Sequence, residues 1–164
     1  MNDAQNFELA LQFLQDIGIE TIFRAVPPEQ SFLPGLLIEN GKIIIDKENL
    51  LYPGDLLHEA AHLAVIPATE RLEICGADIG KRKDAPAEEM MAIAWCYAAC
   101  IHLDIDPHFV FHEKGYKGGG ENIIINFKEG RYFGVPVLEW LGMTNTKKEN
   151  NKALFPAMIK WLRD

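Results

Sequence analysis

The stretch Leu56-Leu57-His58-Glu59-Ala60-Ala61-His62-Leu63-Ala64-Val65-Ile66 decides how this chain is read. Turn chemistry precedes it in Tyr52-Pro53-Gly54-Asp55, where Asp55 suits an N-cap, and Pro67 stops it, so it reads as a helix. Residues four apart on a helix lie one above the other, with Cβ atoms about 5–6 Å apart. Imidazoles at His58 and His62 can therefore converge on one ion, with bonds of about 2.0–2.1 Å. Glu59 lies one step round the helix, where its carboxylate reaches a water on the ion without binding the ion itself. Leu56, Leu57, Ala60, Leu63 and Ala64 make the remainder apolar, which suits a rigid core helix. The five-residue pattern H-E-x-x-H is a zinc-hydrolase signature. At average residue usage it arises by chance in roughly one chain in two hundred of this length, so accident is a poor explanation.

A catalytic zinc usually takes three protein ligands. The next helix, opened by Asp84 and Pro86 and running to about Leu103, begins with Glu88-Glu89 and contains no later acid. One of this pair is the natural third ligand. Acids in a first turn also suit the helix dipole with no metal present, and the residues alone do not choose between Glu88 and Glu89.

Working outward, Phe7, Leu11, Leu14 and Ile17 fall on one helix side that Gly18 ends. Ile19 to Val26 is rich in β-formers. Leu36-Leu37-Ile38 and Ile43-Ile44-Ile45 flank Asn40-Gly41, a strong hairpin signal. Ala68 to Ala85 reads as a polar loop. Later, Gly118-Gly119-Gly120 reads as a loop, Ile123 to Phe127 and Arg131 to Phe133 as strands pairing around Glu129-Gly130, and Val137 to Leu141 as a short helix. Phe155 to Leu162 reads as a terminal helix with Ile159 and Leu162 packed inward. The class is α+β, in one domain over residues 1–164.

Composition bounds the rest. The chain has 164 residues, 48% hydrophobic and 24% charged, which are globular values. A net charge of −8 gives no general attraction to nucleic acid or anionic membrane. Met1 to Gly18 contains no Lys or Arg, so no secretory n-region is read, and the apolar run Met90 to Leu103 is too short to span a bilayer. Three cysteines make no disulfide framework. The expectation is a soluble, cytoplasmic protein.

The run Gly41-Lys42-Ile43-Ile44-Ile45-Asp46, a short loop, and then Leu56 to Leu63 resembles the core of the ImmA/IrrE-type zinc metallopeptidases. In that family a hairpin leads into the H-E-x-x-H helix, and a later helix carries a pattern like E-A-N-x-F-A whose Glu is the third ligand. Glu89-Met90-Met91-Ala92-Ile93-Ala94 matches at the Glu and the last Ala, and departs at Met90 and Met91. The resemblance covers roughly Leu33 to Cys100. It implies a zincin-like fold, with an N-terminal helix, a small β-sheet with a hairpin, the H-E-x-x-H helix and a second ligand-bearing helix. It further implies Zn2+ held by His58, His62 and Glu89. The activity implied is that of an intracellular metallopeptidase, with Glu59 taking a proton from a zinc-held water and passing it to the leaving amine. A peptide or protein is then the substrate. The region of helix-turn-helix type that many members carry is missing, which leaves room for a regulatory protein partner. Two other readings share these motifs: a non-catalytic sensor or binding module, and a zinc hydrolase of a non-peptide amide.

Tyr97, His108, His112, Tyr116 and Tyr132 are all chemically able to steady an oxyanion. His102 lies about 20 Å along the helix from Glu89, too far to share the site. Asp55 lies three residues before His58 and can orient it as an alternative to capping the helix. Cys96 and Cys100 read as small core residues, and Cys75 as a bystander. Lys117-Gly118-Gly119-Gly120 lacks phosphate-loop spacing, and Lys81-Arg82-Lys83 reads as a solvated loop.

Overall fold

A computed structural model describes residues 2–147 and 153–164. The chain opens with α1 (Asp3–Ile17). Its N-terminus is closed by a capping box, in which the Asn2 side chain accepts from the Gln5 N–H and the Gln5 side chain accepts from the Asn2 N–H. Gly18, at φ +90°, ends it in the left-handed conformation that glycine adopts without strain. Three strands follow: β1 (Thr21–Phe23), β2 (Leu36–Glu39) and β3 (Lys42–Ile45). Asn40 and Gly41, both at positive φ, make the tight turn between β2 and β3. β3 lies in the middle of the sheet, parallel to β1 (Ile22 beside Ile44) and antiparallel to β2 (Leu37 opposite Ile44). The expected strand from Ile19 to Val26 is only three residues long. Val26 instead gives its N–H to the Asp46 carboxylate at 3.0 Å.

The centre of the molecule is the pairing of α2 (Asp55–Val65) with α5 (Ala85–His102). Both are buried on most sides. Ala60, Ala61 and Ala64 of α2 and Ala92, Ala94, Ala98 and Ala99 of α5 have no exposed surface. Small side chains let helix axes approach closely, and the Cys96 thiol reaches the Leu57 carbonyl at 3.5 Å. Trp95, fully buried, donates from Nε1 to the Trp161 carbonyl at 2.9 Å.

Both ends of α2 are fixed. At its C-terminus the carbonyls that lack helical partners are all taken. Arg71 donates to those of Leu63 (2.8 Å) and Ile66 (3.0 Å). The Arg163 N–H donates to Ala64 (2.9 Å) and its side chain to Val65 (3.2 Å). Two guanidinium charges there also suit the helix dipole. At its N-terminus Gly54 is the cap residue, and a Cβ on it would lie 1.7 Å from the Phe109 carbonyl oxygen. Asp55 is therefore not the N-cap. It is the first helical residue, and its side chain is engaged elsewhere.

The segment from Ala68 to Ala85 is not a plain loop. It contains α3 (Ala68–Arg71) and α4 (Gly76–Ile79). The last third departs further. Ile123 to Phe127 lies within a helix, α6 (Gly120–Lys128), so no strand pairing forms with Arg131 to Phe133. Ile124 and Phe127 are buried while Ile125 is exposed, a three-residue spacing that fits a helix and breaks the alternation of a strand. α7 (Val135–Trp140) agrees with the expected short helix. Phe155 to Leu162 is not helical. Met158 makes a bridge with Thr144, the Ile159 N–H donates to the Met143 carbonyl at 2.8 Å, and Ile159 is 56% exposed. Pro156, which has no N–H, suits an irregular segment better than a helix. Trp161 packs edge-on against Phe13 at 4.9 Å, and Leu162 lies against the core. The architecture is α+β. Among the described residues, no helix is long and apolar enough to cross a membrane.

Gly54→Ala is expected to cost about 3 kcal/mol by overpacking the entry to α2. For a chain of this size that is a fall of about 6–12 °C in Tm. A thermal melt checks it; an unchanged Tm would show that the helix entry is not pinned at Phe109.

Candidate metal centre

The rigid α2 presents His58 and His62 one turn apart, and their Nε2 atoms lie 3.1 Å from each other. α5 brings Glu89 to the same point. Its Oε2 is 3.5 Å from His62 Nε2 and its Oε1 is 4.0 Å from His58 Nε2. These three residues offer ligand atoms all within 4.8 Å of one another, so the group could hold a metal ion. Donors at about 2.0–2.1 Å from a tetrahedral ion stand roughly 3.3 Å apart, and the observed spacings bracket that value. The donor chemistry, two imidazoles and one carboxylate, also fits zinc.

Glu88, the other candidate, points away. It is buried and bound at both carboxylate oxygens by Arg82, from Nε at 2.7 Å and Nη2 at 2.9 Å. Arg82 also donates to Glu70 at 2.7 Å. Neighbouring glutamates on one helix are thus about 100° apart in direction and have different partners.

Burial sets the protonation of the group. It pushes His58 down to about 3, with help from His62, and His62 down to about 4. Both rings are neutral at physiological pH, the form that offers a lone pair to a metal. Burial raises Glu89. It pushes Glu59 up to about 8, reinforced by the charges of Asp55 and Glu89. A cation at the centre opposes the two carboxylate shifts, because it favours the ionised form.

His58, Glu59, His62 and Glu89 line a cleft of about 680 Å3. Leu33, Leu36, Leu37 and Ile38 supply apolar lining, joined by Phe32, Gly76, Ala77, Ile79 and Gly80. Phe32 is 98% exposed. A mostly apolar concavity with a few convergent polar groups is the usual form of a small-ligand site.

Two residues from the segment after α5 reach α2. His112 donates from Nε2 to Asp55 Oδ1 at 3.0 Å and stacks on Tyr52. Tyr116 Oη is 2.9 Å from His58 Nδ1, with its ring edge-on to the imidazole. Of the residues considered for an oxyanion, Tyr116 alone touches a member of the group. Tyr97 stacks on Phe127 in the core, Tyr132 packs on Phe155, and His108 is held between Asp106 and Glu121 on the surface. His102 packs on Phe13 and Trp161. Cys96 and Cys100 are buried, with thiols pushed up by burial, to about 12 for Cys100, so they are inert. The Tyr116–His58 and Arg82–Glu88 partnerships had no sequence signal, since neither pair has a motif spacing.

No protein-family model, no curated protein and no solved structure matches the chain. The class it falls in is therefore set by its own geometry: an α+β chain whose central helix pair carries a His58–His62–Glu89 group able to hold a metal ion.

Glu89→Ala is expected to abolish zinc retention, measured by elemental mass spectrometry after loading and dialysis. Glu88→Ala is expected to retain about one zinc per chain yet lose about 3 kcal/mol of stability, because Arg82 is left without its buried partner. The opposite pattern of zinc loss would exchange the two roles.

Proposed function

We propose that this chain is a zinc-dependent hydrolase with a zincin-like fold, and that its reaction is the cleavage of a peptide bond. The observation that carries this reading is the convergence of His58, His62 and Glu89, with Glu59 lining the same cleft. His58, His62 and Glu89 would hold the ion. Zinc there supplies a Lewis acid that polarises a carbonyl and lowers the pKa of a coordinated water to about 7.

The chain's own residues do the rest. Glu59, on the helix that carries both histidines, is held rigidly beside them and is the general base. It removes a proton from the attacking water and returns it to the departing amine. Its desolvation makes it a stronger base than an exposed glutamate, which suits a proton transfer near neutral pH. The apolar wall of Leu33, Leu36, Leu37 and Ile38 excludes water and gives a substrate side chain a surface to bury. The substrate is taken to be a peptide or protein, as the resemblance of the H-E-x-x-H region to the ImmA/IrrE-type peptidases implies.

The test is Glu59→Gln, which keeps the shape of the side chain and removes the base. Hydrolysis of a quenched-fluorescence peptide library by the zinc-loaded protein is expected to fall by about 10²–10⁴-fold while zinc content stays at that of the wild type. Activity that survives the substitution, or a wild type that binds zinc and cleaves no member of the library, would overturn the reading.

A further inference from the structure

We infer that Tyr116 is a positioning residue for the metal centre, and that its hydroxyl reverses its hydrogen bond to His58 when the ion binds. The inference rests on the zinc reading above and extends it to a residue outside the motif.

The geometry begins with the two Nε2 atoms 3.1 Å apart. Such a contact is a hydrogen bond if one ring carries the proton at Nε2. It is a pair of lone pairs aimed at a shared cation if neither does. Ligation through Nε2 therefore requires the His58 proton to sit on Nδ1. Nδ1 faces Tyr116 Oη at 2.9 Å, and no other partner of that nitrogen exists among the described residues. The His58 side chain is only 16% exposed, so an unpaired Nδ1–H there would be a buried orphan donor. A hydroxyl both donates and accepts. Without the ion it donates to a bare Nδ1 and leaves Nε2–H for His62. With the ion it accepts from Nδ1–H and frees both Nε2 lone pairs. A carboxylate in its place would only accept.

The backbone supports a placed rather than an incidental contact. Tyr116 and the adjacent Lys117 both occupy the left-handed region, at φ +51° and +54°, although neither is glycine. Conformations of this kind persist only where the surroundings hold them, and they gather at functional sites. Here the surroundings are visible. His112, four residues earlier, is fastened to Asp55 one turn before Glu59 on α2. The segment from His112 to Tyr116 thus grips α2 at two points, Asp55 and His58, and its strained end delivers the hydroxyl to the ligand ring. Phe111 packs behind the Tyr116 ring at 5.1 Å.

The experiment has two parts. Zinc affinity is measured by competition with a chromophoric chelator for the wild type and for Tyr116→Phe, which keeps the ring and removes only the hydroxyl. The variant is expected to bind zinc about 10- to 100-fold more weakly, with an unchanged far-ultraviolet circular dichroism spectrum. The loss falls on the loaded form, since a bare buried acceptor is tolerated better than an orphan N–H. The second part needs no variant. Long-range nitrogen–proton spectra of the labelled wild type are expected to show the His58 proton at Nε2 in chelator and at Nδ1 with zinc. Equal affinities, or a His58 proton that stays on one nitrogen in both conditions, would overturn the inference and leave the zinc site standing. A wild type that binds no zinc would overturn both.

Discussion

Everything at the cleft depends on α2 lying hard against α5. The donor atoms belong to two helices separated by residues 66–84, yet they must meet within a few tenths of an ångström to serve one ion. Leucine-rich helix faces would hold the axes apart. The run of buried alanines on both helices removes that obstacle, and the larger residues, Leu56, Leu57, Leu63 and Trp95, fill the space to either side. The packing that stabilises the domain is thus the same packing that sets the distance from His62 to Glu89. Loosening it by about 1 Å would spoil the donor set before it unfolded the chain.

The ends of α2 are restrained with comparable care. An eleven-residue helix is too short to be stable by itself, so its position comes from tertiary contacts. Arg71 and Arg163 take the four carbonyls at one end, and Gly54 lets the other end approach Phe109. Arg163 comes from the far end of the sequence. The irregular segment that carries it, with Trp161 wedged against Phe13 and Trp95, therefore belongs to the scaffold of the site although it lies apart from the motif.

How much of this could be read in the sequence follows from the range of the interactions involved. α1, the hairpin, α2 and α5 are specified locally, by an apolar stripe, an Asn-Gly turn or a bounding proline, and they stand where expected. The helices α3 and α4 are four residues each and have no periodicity to read. Ile123 to Phe127 misled because three consecutive isoleucines favour a strand by propensity, while the burial of Ile124 and Phe127 against the core selects a helix. The end of the chain misled because Ile159 and Leu162 have helical spacing, whereas the segment spends its backbone donors on Met143 and Ala64. The two histidines and Glu89 were legible because the motif is local and the resemblance singled out one glutamate. Asp55 was read as a cap or as a partner of His58 and is neither, since its true partner, His112, lies 57 residues on.

The contrast between Glu88 and Glu89 shows what the site requires. Both leave the first turns of α5, but Glu88 is buried while the Glu89 side chain stays 43% exposed at the cleft. Glu88 is answered by the chain's own cation, with two charge-assisted hydrogen bonds from Arg82. Among the described residues, the partners of Glu89 are His58 and His62, and burial keeps those rings neutral at physiological pH. Glu59 and Asp55 add further carboxylates nearby, and burial followed by the charges of Asp55 and Glu89 raises Glu59. A protein with arginine to spare for Glu88 places none at Glu89. Two neutral imidazoles beside carboxylates form a donor set that could hold a metal ion, and a divalent cation there would supply the counter-charge that no arginine gives Glu89.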